Sequence, residues 1–155
     1  MPFEIERKFL IIADYKPYVV GSKKIRQGYL CTDPNRTVRI RMQDDQAFLT
    51  VKGKPSQSGI SKFEWETTIP FDDASTLLQL CDVVIEKTRY LVPQGDLMFE
   101  IDEFHGVNEG LVIAEIELPA EETPFEHPHW LGREVTGDVR FYNAYLAQHP
   151  YCHWK

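Results

Sequence analysis

The sequence has little that would tie it to a membrane, a nucleic acid or a zinc centre. No apolar run among its 155 residues approaches the ~20 needed to cross a bilayer as a helix. The opening MPFEIERKFL shows no basic start followed by an apolar stretch, so no secretory signal is expected. Cysteine is sparse: Cys31, Cys81 and Cys152 are odd in number and far apart, which points to free thiols in a reducing cytoplasm. No cluster of Cys and His has the spacing of a structural zinc site, and His105, His127, His129, His149 and His153 lie outside the charged segments, where surface or packing roles are expected. Positive charge is outnumbered, with 17 Lys and Arg against 24 Asp and Glu, and the net charge of −7 excludes a general nucleic-acid surface. Ser and Cys form no triad-like arrangement, so covalent catalysis is not expected. Repeats, low-complexity tracts and linkers are also missing, which leaves a single domain over residues 1–155.

What is present is a recurring short segment in which charged and apolar residues alternate. It appears at Phe3–Phe9, Ile25–Cys31, Val38–Met42, Phe48–Lys52, Phe63–Thr67, Ile85–Tyr90, Phe99–Asp102 and Ala114–Leu118. Alternation with period two is the signature of a strand. Short turn signals separate the segments: Asp44-Asp45, Pro93-Gln94-Gly95-Asp96 and Asn108-Glu109-Gly110. Eight strands joined in this way predict a mainly antiparallel sheet. Lys54–Gly59 reads as a mobile loop. Two helices are expected. Asp72 or Asp73 could cap Ala74–Leu80, and Asp138 opens a segment in which Phe141, Tyr142, Tyr145 and Leu146 recur at helical spacing until Pro150. Glu121–Gly132, rich in proline and histidine, is expected to be irregular.

Residues i and i+2 of a strand share a face. Glu4, Glu6 and Lys8 therefore lie together, as do Arg39 and Arg41, Thr50 and Lys52, Glu64 and Glu66, Lys87 and Arg89, Glu100 and Asp102, and Glu115 and Glu117. Two arrangements fit. In an open sheet the charged face meets solvent and the apolar face forms the core. In a closed sheet the charged face turns inward, and the outer apolar face is covered by helices or by a second subunit. Each charged pair is nearly single-signed, the pattern recurs on seven strands, and acids and bases roughly balance; all three favour closure. So many inward charges are tolerable only if they are paired, hydrated or met by a ligand. Arg and Lys suit phosphate oxygens, and paired carboxylates suit Mg²⁺ or Mn²⁺. A linear triphosphate carries roughly −5 near neutral pH, by analogy with phosphoryl groups of about −2 at each end. Two divalent ions and such a set of bases would offset it.

These residues carry a resemblance. Glu4-x-Glu6-x-Lys8 at the N-terminus is followed by RIR (Arg39, Arg41), TVK (Lys52), EWE (Glu64, Glu66), KTR (Lys87, Arg89), EID (Glu100, Asp102), EIE (Glu115, Glu117) and a closing VTGDVRFYNAYLA with Arg140. In this order they resemble the CYTH, or triphosphate tunnel metalloenzyme, superfamily over nearly the whole chain. The resemblance implies a mainly β fold with a few helices, a closed eight-stranded antiparallel barrel with a charged lumen, and a divalent-metal requirement. It also implies hydrolysis of inorganic triphosphate, nucleoside triphosphates or thiamine triphosphate, or cyclisation of ATP. The compact chain looks most like the bacterial inorganic triphosphatases, with a non-catalytic polyphosphate or nucleotide binder as a further alternative.

On this footing Lys8, Arg39, Arg41, Lys52, Lys87, Arg89 and Arg140 are expected to hold the phosphoryl groups. Glu4, Glu6, Glu115 and Glu117 are the first candidates for Mg²⁺ or Mn²⁺. Glu64, Glu66, Glu100 and Asp102 would hold a second ion or orient the attacking water. Catalysis is expected of Glu64, Glu66, Lys8 and Lys87. Gln27 and Tyr29 could also point into the tunnel, although a core role is expected for Tyr29. The small-molecule triphosphate is the expected partner, with no nucleic acid, no membrane and a homodimer as a further possibility.

Overall fold

The computed structural model describes residues 3–154; Met1, Pro2 and Lys155 lie outside them. Nine strands form one sheet: β1 (Phe3–Ile11), β2 (Gly21–Cys31), β3 (Arg36–Gln43), β4 (Gln46–Pro55), β5 (Ser61–Thr68), β6 (Val84–Gln94), β7 (Leu97–Phe104), β8 (Val112–Glu117) and β9 (Leu131–Glu134). Their order is β5-β4-β3-β2-β6-β7-β8-β1-β9, and β5 also pairs with β1. That last pairing closes β1–β8 into an eight-stranded antiparallel barrel. The seam is short, joining Phe3 to Phe63, Glu4 to Lys62 and Ile5 to Ser61. Beyond it β9 takes over the same edge of β1, opposite Phe9 and Ile11.

The eight strands expected from alternation are all present, each longer than its charged core. β9 falls partly in a stretch expected to be irregular. Its four residues, LGRE, are too short and too mixed to show a period.

The first helix, α1, runs Phe71–Leu78, earlier than expected. Pro70 takes the N-cap position and no side chain caps there, so Asp72 and Asp73 sit in the first turn instead. There they favour the helix through its positive N-terminal end. The last segment is also broken differently. A 3-10 turn at Val139–Phe141 is capped by the Asp138 side chain, extended Tyr142 interrupts it, and α2 covers only Asn143–Leu146.

The outer face of the barrel is covered in two places. Leu78 and Ala74 of α1 pack on Ile40, Met42 and Ala47. Phe125 and Trp130, from the chain between β8 and β9, and Leu131 at the start of β9 pack with Tyr15 on Phe9, Phe99, Ile101, Ala114 and Ile116. Trp130 is 2% exposed and sits edge-on to Phe99 at 5.0 Å between ring centroids. Phe3 and Trp65, on the outer side of the β1–β5 seam, remain exposed.

The seam loop is held by a close backbone approach. A Cβ on Gly59 would stand 2.6 Å from Gly137 Cα, and Gly59 has φ of +78°. Only glycine combines that conformation with that contact.

Candidate active site

The inward register of the barrel strands places the charged pairs around one cavity of about 400 Å³. Lys8, Arg39, Arg41, Lys52, Lys87 and Arg89 line it, with Glu4, Glu6, Glu64, Glu66, Glu100, Glu115 and Glu117. Strand order sorts them by sign. The consecutive strands β4, β3, β2 and β6 carry the bases Lys52, Arg39, Arg41, Lys23, Lys87 and Arg89. The other four, β7, β8, β1 and β5, carry all the acids. Lys8 and Lys62 are the two bases in the acidic half, and both stand over the ring of Tyr142, at 4.9 and 4.6 Å. The same inward register then continues into Ile85, Phe104, Ile113 and Leu10. These pack with Phe141 and Leu146 into an apolar plug at one end.

Above the plug the basic half is held in place by buried polar contacts. Asp102 is 1% exposed; its carboxylate takes two hydrogen bonds from Arg89, at 2.8 and 3.0 Å, and meets Lys87 Nζ at 2.7 Å. These cations keep its carboxyl below the usual range against the opposing effect of burial. Asp102 therefore does not line the cavity, and its expected role as a metal ligand does not fit this geometry. Lys87 is itself pushed down to about 7, chiefly by burial and then by Arg89 and Arg41, despite Asp102. Burial, Arg39 and Arg89 likewise pull Arg41 below its ordinary value, although a guanidinium stays charged in any folded protein. Arg39 donates to Thr50 at 3.1 Å and lies 3.5 Å from Glu66, but its buried Nε has no acceptor among the described residues. An orphaned buried donor is costly, and this one belongs to a residue that lines the cavity.

The acidic half is crowded. Glu6 faces Glu117 across β1 and β8, and Glu100 faces Glu115 across β7 and β8. Burial, with Glu115 and Glu4 as neighbours, pushes Glu6 up to about 8. Glu115 moves the other way: burial opposes its charge, but Lys8 (3.8 Å away), Arg89 and Lys87 hold it well below the usual range. Partial burial also opposes the charge of Glu4, yet Lys52 at 2.8 Å brings it down to about 2. Glu64 and Glu117 are raised by burial and by Glu4. Two neighbouring carboxylates with values driven apart mark a place where like charges compete for too few counter-charges. Among the described residues no three His, Cys, Asp or Glu side chains converge into a finished metal cage. The donor set nevertheless fits a hard divalent cation that keeps part of its hydration: several carboxylates, no soft ligand, and net negative crowding.

Arg140 lies elsewhere. Its guanidinium is exposed on the surface and clamped by Asp138, two residues away, at 3.1 and 2.7 Å. It borders a shallow surface depression with Tyr145, His149 and Trp154 instead of the lumen. In the strands, the period-two pattern dictated which way each charge points; Arg140 sits in a 3-10 turn, where no such rule applies. Tyr29 does line the cavity, while Gln27 is fully buried beneath it.

Several lining residues were not singled out in the sequence. Lys62 precedes Glu64 and Glu66 on the same face of β5, and extending that strand by one residue would have found it. Lys23 extends the inward face of β2 in the same way. Asn143 comes from the C-terminal segment and carried no strand signal; Tyr142, expected on the apolar face of a helix, lines the cavity instead.

Fold and lining together define a tunnel protein: a closed antiparallel barrel whose interior is polar, charged and divided by sign. The chain belongs to the CYTH domain family, whose profile matches residues 2–142. It is 46% identical over 154 residues to an inorganic triphosphatase of Acetivibrio thermocellus, covering 98% of this chain and 97% of that one. It is 37% identical over 150 residues to an inorganic triphosphatase of Nitrosomonas europaea, covering 93% and 96%. A crystal structure of an inorganic triphosphatase superposes with a TM-score of 0.68 at 34% identity, covering 95% of each chain. A Pyrococcus horikoshii structure, at 17% identity and a TM-score of 0.59 over 77% of this chain and 81% of that one, agrees in fold alone.

Proposed function

We propose that this protein hydrolyses inorganic triphosphate with a divalent cation, Mg²⁺ or Mn²⁺, as cofactor. The observation that carries the reading is the sorting of signs. A basic arc facing an acidic arc across one cavity suits a polyanion on one side and its cations on the other. The close relatives named as inorganic triphosphatases support the choice of substrate.

Arg39, Arg41, Lys52, Lys87, Arg89 and Lys8 bind the phosphoryl oxygens, with Lys62 added from the seam. The guanidinium groups grip two oxygens at once and hold the chain of phosphates in line. Being fixed before substrate arrives, they also stabilise charge as it shifts to the leaving group. Arg39 Nε then gains the acceptor that it lacks among the described residues. Glu4, Glu6, Glu115 and Glu117 hold the cation, with Glu100 and Glu64 in reach of a second. When bound, the ion draws charge from the phosphoryl oxygens and makes bound water more acidic. Glu64 or Glu66, at the rim of the acidic arc, orients the attacking water and takes its proton. Asp102 acts through Lys87 and Arg89, not on the substrate. Three free cysteines suit work in a reducing cytoplasm.

The test is phosphate release from inorganic triphosphate, ATP and thiamine triphosphate, each with Mg²⁺, Mn²⁺ or Ca²⁺. Fastest release from inorganic triphosphate, with no cyclic AMP from ATP, is expected. Cyclic AMP, or no turnover of any of the three, would overturn the reading. Arg39→Ala and Glu117→Ala should both abolish turnover in folded protein.

A further inference from the structure

Two lysines of the lumen are tied down from an unexpected quarter. The joint between the Val139–Phe141 turn and α2 presents two neutral acceptors to strands that are far apart in sequence. The carbonyl oxygen of Phe141 accepts from Lys8 Nζ of β1 at 3.3 Å. Asn143 Oδ1 accepts from Lys87 Nζ of β6 at 2.8 Å. The same oxygen accepts from Gln27 Nε2 at 2.5 Å, and Gln27 Oε1 in turn accepts from Arg41 Nε at 2.8 Å. Gln27 is fully buried and Asn143 is 9% exposed, at the floor of the cavity.

The two amides thus form a bracket from Lys87 through Asn143 and Gln27 to Arg41. Every link uses a carboxamide in its one workable orientation, because each carbonyl faces a cation and Gln27 directs its amide nitrogen at Asn143. The neutrality of the links matters. A carboxylate in either place would fix the cations equally well but would cancel charge needed for a polyanion. Asp102 already gives Lys87 one counter-charge, and an amide fixes direction without adding a second.

We propose that Asn143 and Gln27 are positioning residues that aim Lys87 and Arg41 at the transferring phosphoryl group, so that the C-terminal segment sets the catalytic geometry of the barrel floor. The inference rests on the triphosphatase reading above. If the amides served only to satisfy one another inside the plug, their removal would cost stability and leave the kinetics of the folded enzyme alone.

The experiment is steady-state hydrolysis of inorganic triphosphate by the full chain with Mg²⁺ or Mn²⁺, alongside thermal unfolding. Asn143→Leu keeps the shape and removes the acceptor; kcat should fall by about 10- to 100-fold, as expected for a misaimed group. Asn143→Asp keeps the acceptor oxygen and adds a negative charge. It should restore kcat to within about threefold while KM rises, because the charge repels the substrate. Gln27→Met should lower kcat, and combined with Asn143→Leu it should add little further loss, as for two parts of one unit. Wild-type kcat and KM in Asn143→Leu would overturn the inference. So would an Asn143→Asp protein that folds but is as slow as Asn143→Leu. Should Asn143→Leu fail to fold, Gln27→Met decides in its place, and wild-type kinetics there would overturn it. No phosphate release by the unaltered protein would overturn the triphosphatase reading, and this inference with it.

Discussion

Replacing Glu6 by glutamine should make the metal-free protein more stable while destroying its activity. Glu6 is 7% exposed, and burial together with Glu115 and Glu4 raises it from an ordinary 4.5 to about 8. Between those two values the folded state binds a proton that the unfolded state has released. Stability from this group therefore falls as pH rises from about 4.5 to about 8. At about 1.4 kcal/mol for each unit of pKa difference, the cost reaches about 3 kcal/mol at pH 7 and about 4 kcal/mol at pH 8. Glutamine mimics the protonated acid, keeps a donor for Glu115 and does not titrate. The metal-free variant should thus match the wild type below pH 4.5 and exceed it by up to about 4 kcal/mol at pH 8. For a chain of this size that corresponds to a melting-temperature gain of roughly 8–16 °C. Lys87 and Lys62, lowered to about 7 and about 8 mainly by burial, titrate nearby in the opposite sense. Lys87 titrates alike in both proteins and cancels in the difference, whereas Lys62, which the Glu6 charge helps to keep protonated, moves lower still in the variant. The assay is thermal unfolding in chelator at several pH values, repeated with Mg²⁺ or Mn²⁺. The cation should stabilise the wild type strongly and the variant little. A variant that melts at or below the wild type at pH 8 without metal would refute the reasoning.

Asp102→Asn should leave two buried cations short of their counter-charge and cost about 3–5 kcal/mol, lowering the melting temperature by roughly 6–20 °C; an unchanged melting curve would show that Lys87 and Arg89 do not depend on it. Arg140→Ala should keep phosphate release within about twofold of wild type, since the guanidinium is held by Asp138 outside the lumen, and a large loss would return Arg140 to the site. Gly59→Ala should destabilise by more than about 1 kcal/mol in urea unfolding, because φ is +78° and a Cβ would meet Gly137.

The pairs of like charge at i and i+2 were enough to say that Arg39 with Arg41, Lys87 with Arg89, and Glu115 with Glu117 share a face, because strand pleating dictates it locally. From that rule came the strand count, the lumen residues and the need for a charged ligand. The rule gives no answer off the strands. Arg140 was misplaced for that reason, Tyr142 read only as part of a helical apolar face, and Asn143 carried no signal, since a 3-10 turn and a one-turn helix have no period that orients a side chain. Asp102 shows a different limit: it shares the inward face of β7, as its spacing requires, but whether it meets substrate or neighbouring cations depends on depth within the barrel. The order β4-β3-β2-β6 opposite β7-β8-β1-β5 is likewise a property of non-local pairing. Most strands carried one sign in their own residues, with Lys8 on β1 and Lys62 on β5 as the exceptions, but only closure of the sheet collected like signs into two facing arcs. Hydrogen bonding between strands distant along the chain, not any local pattern, decides which charges become neighbours.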